Sequence, residues 1–339
     1  MTEKASAARK TATMEYAGLR TLVVGLGNAG ANLHLPVLNR LRAEWPALFA
    51  VDPPLGCDPR HAPGAAVVTT VDEAVERLDP RHTVVHLCTP PADRTDPLRT
   101  LAAAGFDKVL VEKPLATGTA DLDRIVALRA RLDLVVVAQW LTSELTSRLA
   151  ALVALGTLGA LTDIRFVQRK SRFQRSSTTA GHPTAFDVEL PHSVGVALLL
   201  AGDAEVHAAR CQDLTTDAWT LPRLGGAQVE LRHHGGVRTE IVSDLGAPVR
   251  ERSVVLNFER GTVTGHYPPD ASDPYARLSV HAEDGGNRTS VFPDDALATF
   301  LLSAYRYFAG AEVPSHTDLN IRVARLLCDA KRQALGAWA

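Results

Sequence analysis

Apolar and polar positions fall into two regimes along the chain. Through about residue 140, short apolar runs bounded by turn residues alternate with stretches of helical spacing. Residues 19–24, 67–70, 83–88, 109–111 and 134–138 read as buried strands, and residues 48–51 read as a further one. Residues 31–42, 71–78, 96–104 and 120–131 read as helices. Strand–helix alternation with short connections predicts a doubly wound parallel sheet. From residue 142 the pattern changes. Helices are expected over 142–155 and 194–201, with closing helices over 294–309 and 318–335. Between them, residues 161–170, 205–213, 227–233, 238–244 and 254–259 alternate or are β-branched, as in an antiparallel sheet packed on one face. The fold class is therefore α/β with a doubly wound parallel sheet in the first part and α+β in the second. The boundary is set between residues 140 and 141, after a flexible tail over residues 1–17.

Composition narrows the classes. At 339 residues the chain is longer than a single core usually supports. A hydrophobic share of 46%, a charged share of 22% and a formal net charge of −2 provide no global field for nucleic acid or an anionic membrane. Cys57, Cys88, Cys211 and Cys328 are widely separated, so neither a disulfide framework nor a zinc knuckle is expected. No apolar run nears the roughly 18 residues of a membrane span. The start of the chain has no apolar segment of the secretory kind. Together these predict a cytoplasmic enzyme with reduced thiols and no metal.

The first strand ends in Gly25-Leu26-Gly27-Asn28-Ala29-Gly30, and a helix follows. In that context G-x-G-x-x-G is a dinucleotide loop. Gly25 permits the tight turn, Gly27 lets the backbone approach a pyrophosphate, and Gly30 allows close helix–strand packing. Asn28 and Ala29 complete it at a helix start that favours anions. Asp52, after the run 48–51, is the expected acid for the adenosine ribose and favours NAD. Arg60 is the residue that could shift the preference to NADP. The strand over 109–111 ends in Glu112-Lys113-Pro114, which sets two charged side chains at the carboxyl edge of the sheet, where ligands bind in open α/β folds. Gln139, at the end of the last parallel strand, is also assigned to the cofactor.

Gly25 to Gly30, Thr89-Pro90-Pro91 and Glu112-Lys113-Pro114-Leu115-Ala116 resemble the motifs of the Gfo/Idh/MocA oxidoreductases, in the same order. His34 also matches a common family position. The resemblance implies an N-terminal Rossmann domain joined to a C-terminal domain with a large open antiparallel sheet. It also implies hydride transfer between NAD(P) and a carbon of a sugar, sugar nucleotide or cyclitol. By that resemblance Lys113 bonds the reacting oxygen and Glu112 lies near the nicotinamide ribose. Pro114 is then cis, and Thr89 and Pro90 line the cofactor. A homodimer or homotetramer through the C-terminal sheet is implied as well.

The family's Asp-x-x-x-His pattern is only partly present. His192 stands where its general base belongs, ahead of Gly202, but position 188 is valine, with Asp187 and Glu189 on either side. Either acid is a candidate to orient His192, and Asp187 is also a candidate substrate contact. Arg169, Lys170, Arg172 and Arg175 form a basic cluster suited to an anionic handle on the substrate. His182 sits in a polar loop, 176–183, that could cover a sugar. His233-His234 reads as a strand-end pair without metal-ligating partners. Two further classes remain open: an NAD-dependent glycosidase of the same architecture, and a non-catalytic NAD-binding regulator. Net reduction of nicotinamide, sugar release without it, or binding with neither separates the three.

Overall fold

A computed structural model describes residues 18–178, 181–270 and 272–336. The tail predicted over 1–17 and residues 179–180 of the polar loop lie outside the described residues. Among the described residues no helix is long and apolar enough to cross a membrane.

The N-terminal Rossmann domain is a six-stranded parallel sheet. Its strands are β1 (Arg20–Val24), β2 (Leu55–Cys57), β3 (Val67–Val68), β4 (Thr83–Leu87), β5 (Lys108–Val111) and β6 (Asp133–Val136). They lie in the order β3-β2-β1-β4-β5-β6. The order reverses between β1 and β4, so the crevice at their carboxyl ends is the natural ligand position. Residues of β1, β4 and β5 are almost wholly buried, which explains their near-continuous apolar runs. The helices between strands are α1 (Leu35–Glu44), α2 (Val71–Val75), α3 (Thr95–Ala103) and α4 (Thr119–Ala127). A π-helical turn, Gly30–His34, opens α1.

The second strand differs from expectation. Residues 48–51 make only an isolated bridge, Leu19 to Phe49, and Val51 is 81% exposed. The Asp52-Pro53-Pro54 turn precedes the real strand, which is three residues long.

The C-terminal region opens with α5 (Glu144–Leu155), capped by the Ser143 side chain and ended by Gly156 at φ 64°. It then builds an eight-stranded sheet from β7 (Leu161–Ser171), β8 (Ala204–Thr215), β9 (Thr220–His233), β10 (Arg238–Asp244), β11 (Gly246–Phe258), β12 (Gly261–His266), β13 (Tyr275–Ala282) and β14 (Asn287–Pro293). Their order is β14-β13-β12-β11-β7-β10-β9-β8. Only β7–β10 is parallel; the other pairings are antiparallel. On β7, Ile164, Phe166 and Gln168 are buried while Arg165 and Arg169 face outward. The outer face is laced by the pairs Arg165–Glu240, Arg169–Glu251 and Arg238–Asp163. Two helices, α6 (Phe173–Thr178) and α7 (Leu190–Ala201), follow β7. Ten of the twelve residues of α7 are buried, as befits a helix apolar on all sides.

The last helices, α8 (Ala296–Phe308) and α9 (Thr317–Gly336), return to the first sheet. Phe300, Leu301, Ala304, Tyr305 and Phe308 share a core cluster with Val23, Val84 and Leu110. Ile321 and Ala324 of α9 join the cluster on the opposite side of that sheet, whereas Leu319, Val323 and Leu327 belong to the C-terminal core.

Candidate active site

The glycine loop leaves β1 at the sheet's reversal point. Gly25 has φ +90°, and a Cβ there would meet the Cys88 carbonyl carbon at 3.1 Å. A Cβ on Gly30 would lie 2.1 Å from the Gly25 oxygen. A Cβ on Gly27 would meet nothing within 4 Å, because this residue faces a cavity of about 1380 Å³. Gly25, Gly27, Asn28 and Ala29 all line that cavity. Its volume exceeds that of ordinary small-ligand pockets, about 300–1000 Å³, and suits a dinucleotide with a substrate. Open space over Gly27 beside a helix start is what a pyrophosphate needs, so the residues present fit the cofactor.

Asp52 is not at this cavity. It is 62% exposed and paired with Arg20 at 2.9 Å. The acid that ends β2 is Asp58, which sequence reasoning missed. Asp58 is 1% exposed, and both its oxygens are engaged. Oδ2 accepts from Leu26 N at 2.8 Å and from Arg60 Nη2 at 2.8 Å. Oδ1 accepts from Arg60 N and Nε, both at 3.0 Å. Hydrogen bonding by Arg60 holds the carboxyl far below its ordinary range. Arg60 lines the cavity and leaves its guanidinium 73% exposed.

Thr89 and Pro90, after β4, line the cavity with Glu112, Lys113 and Gln139. Arg94, another missed residue, is buried and joins two of these loops. Its Nε and Nη2 donate to Thr89 O at 3.3 and 3.2 Å, and its Nη1 to Pro114 O. The Lys113–Pro114 peptide is cis.

His34 does not reach the cavity wall; it is fully buried behind Glu112. Its Nε2 is 2.8 Å from Glu112 Oε1, and its Nδ1 is 2.7 Å from His86 Nδ1. The chain continues from His86 Nε2 to Tyr305 OH at 3.0 Å and from there to Thr21 Oγ1 at 2.5 Å. Burial opposes a charge on His34, but Cys88 and Glu112 outweigh it and raise its pKa to about 10. Burial, then the His34 charge, press His86 well below its usual value. Glu112 is the counterpart. Burial opposes its charge, but His34, Lys113 and Arg94 hold the carboxyl below its ordinary value. The resulting arrangement is an ionised Glu112 backed by a charged His34 and a neutral His86.

Lys113 projects from the end of β5 across to the C-terminal region, where Nζ donates to Val188 O at 2.5 Å. Burial lowers its pKa to about 8; Arg172, Arg175 and Arg94 also push it down, while Glu112 pulls it up. His192, in the first turn of α7, lines the same cavity. Its ring stacks on Trp140 with centroids 5.4 Å apart, and Trp140 stacks on Tyr267 at 3.9 Å. Burial, then Lys113, Arg252 and Lys170, keep His192 neutral.

Neither expected acid orients this histidine. Asp187 is fully buried away from the cavity wall. Its Oδ2 accepts from Thr184 N and Oγ1, and its Oδ1 from Lys331 Nζ at 2.8 Å. Glu189 does line the cavity, but it is paired with Lys170. His192 Nδ1 is buried and has no hydrogen-bond partner among the described residues. Asp187 is thus removed from both of its predicted roles, orienting acid and substrate contact.

Within the basic cluster, Lys170, Arg172 and Arg175 line the cavity and Arg169 does not. Alternation along β7 turns Arg169 to the outer face, where it meets Glu251 at 3.0 Å. His182 lines the cavity with Nδ1 buried and unpartnered. Arg250 and Arg252 reach the cavity from β11 and were not foreseen. His233 uses both ring nitrogens, on Gly202 O at 2.7 Å and Thr239 Oγ1 at 2.8 Å.

A parallel sheet with this glycine loop, whose fifth strand leads into Glu-Lys-Pro at the crevice, is a Rossmann-type dinucleotide-binding domain. Residues 19–139 match the model of the oxidoreductase family with NAD-binding Rossmann fold, Gfo/Idh/MocA. That match covers the first sheet and its glycine loop, so this part of the chain is similar to the NAD-binding domain of that family. No curated sequence matches the chain. Among solved structures, a 3-ketoreductase from Actinomadura kijaniata in complex with TDP-benzene and NADP is similar, at 18% identity, 93% of this chain, 98% of that one and a TM-score of 0.75. An aldose-aldose oxidoreductase from Caulobacter crescentus complexed with glycerol matches at 16% identity, 94% and 98% coverage and a TM-score of 0.75. A levoglucosan dehydrogenase in complex with NADH and L-sorbose matches at 17%, 94% and 97%, with a TM-score of 0.73. These likenesses extend the shared fold over both sheets.

Proposed function

We propose that this protein is an NAD(P)-dependent dehydrogenase or reductase acting on a carbinol or keto carbon of a sugar, sugar nucleotide or cyclitol, with Lys113 at the reacting oxygen. The observation that carries this is the placement of Lys113. It stands between the glycine-loop crevice and a polar wall contributed by β7, α7 and β11. The solved structures of similar fold include complexes with L-sorbose and with a TDP compound, which supports a hydroxylated substrate.

The bound nicotinamide supplies the hydride acceptor, or the donor in the reverse direction. On oxidation the carbinol O–H and C–H bonds break, a C=O bond forms, and the hydroxyl proton passes to Lys113 as the free amine. A lysine held at about pKa 8 exchanges a proton near neutral pH, and its ammonium form stabilises alkoxide charge. His192 stays neutral and lines the cavity beside Lys113 as a hydrogen-bonding group for the substrate. Its plane is fixed by Trp140 rather than by an acid. In this reading Lys113 carries the proton transfer, and His192 is a hydrogen-bonding partner.

Lys113→Ala should lower kcat by about 10²–10⁴-fold, the usual contribution of acid–base catalysis. Cofactor affinity should change little. Wild-type kcat/KM should show a titration limb near about 8 that disappears in the variant. Near-wild-type turnover, or a limb that persists, rules out the assignment.

A further inference from the structure

The wall facing Lys113 carries more positive charge than its neighbours neutralise. Lys170 is paired with Glu189, and Arg250 with Asp270. Arg172, Arg175, Arg252 and Lys113 have no carboxylate partner among the described residues, yet all four line one cavity. Arg172 is only 8% exposed. Guanidinium groups withdrawn from water without a counter-ion are costly, and mutual repulsion adds to the cost.

The same crowding of charge lowers the basicity of these groups. Burial, then Arg175, lower Arg172 to about 10. Burial, then Arg250, do the same to Arg252, with Asp270 opposing. Burial, then Lys113 and the nearby arginines, drive His182 far below its usual range. Four cations without a carboxylate partner on one cavity wall call for an anionic ligand. The cofactor's pyrophosphate has the glycine loop and helix start for its own neutralisation.

Building on the oxidoreductase reading, we propose that the substrate is an anionic polyol. Its carboxylate or phosphate ester is held by Arg172, Arg175 and Arg252, and its reacting carbon lies at Lys113. Planar guanidinium forks recognise either anion in bidentate fashion. One cavity wall would then set both the specificity and the distance from anion to reacting carbon.

The test is a calorimetric titration of the cofactor-loaded protein with glucose, myo-inositol, glucuronate and glucose 6-phosphate. Absorbance of reduced nicotinamide is followed in parallel with each probe. At least one anion should bind about tenfold or more tighter than both neutral probes. Which anion wins separates a carboxylate from a phosphate site. The preference should shrink as salt rises, since exposed charge is screened. Arg172→Ala and Arg252→Ala should remove most of it. Arg175, which is exposed, provides a variant that leaves the interior intact, and Arg175→Ala should weaken the same preference. Arg238→Ala removes equal charge from the outer sheet face and should leave it unchanged. Neutral probes that bind as tightly as both anions overturn the proposal, as does a preference unaffected by Arg175→Ala. Turnover of a neutral probe without anion preference overturns it while leaving the oxidoreductase reading intact. Anion binding without turnover of any probe supports the anion site and counts against the hydride-transfer reading.

Discussion

His34→Gln should remove a share of stability that depends on pH in a defined direction. The folded protein holds His34 with a pKa of about 10, against 6.5 for the free side chain. Its protonated form donates from Nε2 to Glu112 and from Nδ1 to His86. A raised folded value means that the folded state keeps a proton the unfolded state has lost. The contribution is therefore complete below about pH 6.5 and is lost as pH climbs toward about 10, at about 1.4 kcal/mol per pH unit. Between pH 6.5 and about pH 8 the loss comes to about 2 kcal/mol. Lys113 works in the opposite sense, because its folded value is depressed, but its effect begins only above about 8. Comparing urea unfolding of wild type and His34→Gln at about pH 6.5 and pH 8 cancels the titrating groups that do not contact His34. The wild-type advantage should shrink by about 2 kcal/mol over that interval. An advantage equal at both pH values refutes a charged His34 and, with it, the ionised pair behind the nicotinamide crevice.

Two other substitutions separate structure from chemistry. Asp187→Ala leaves Lys331, 9% exposed, buried without its counter-ion, and should cost about 3–5 kcal/mol in urea unfolding. A large loss of turnover with unchanged stability would instead return Asp187 to the role of orienting His192. Arg60→Ala should raise the Kd for NADP about tenfold and leave NAD binding no weaker, because losing the guanidinium frees both Asp58 oxygens at the same cavity wall. Equal effects on both dinucleotides in a binding titration would show that Arg60 does not meet the 2′-phosphate.

The parts of the site fixed by local backbone requirements were legible in the sequence. Gly25 and Gly30 are demanded by a positive φ and a near-contact, and Lys113 by its position at a strand end. The acid was misplaced because residues 48–51 are more apolar than Leu55-Gly56-Cys57. The true strand contains a glycine that accommodates Leu26, whose Cδ1 would lie 2.9 Å from an added Cβ. The partners of His192 were not legible at all. Asp187 is claimed by Lys331, 144 residues away, and no local spacing encodes that meeting. Arg250 and Arg252 were missed because the run Arg250-Glu251-Arg252 interrupts the alternation of β11, whose predicted start was residue 254. Gly261 opens β12 and Gly285 lies in the turn between β13 and β14, so two of those three strand connections carried a usable signal. So did His86: a polar residue inside the apolar run Thr83-Val84-Val85-His86-Leu87 requires a buried partner.

The return of the last two helices to the first sheet also sets an order in time. Tyr305 closes the hydrogen-bonded chain that begins at Glu112. Thr317 bonds Leu134 O, and Lys331 bonds Thr117 O. A ribosome that has produced only the six parallel strands has therefore made a sheet with uncovered apolar surface on both sides and an unfinished polar network. The lining of the cofactor crevice is complete only when Leu297, at the start of α8, has emerged, about 160 residues after β6 was made. Nucleotide binding by a nascent chain should accordingly report the emergence of α8 rather than of the first sheet alone.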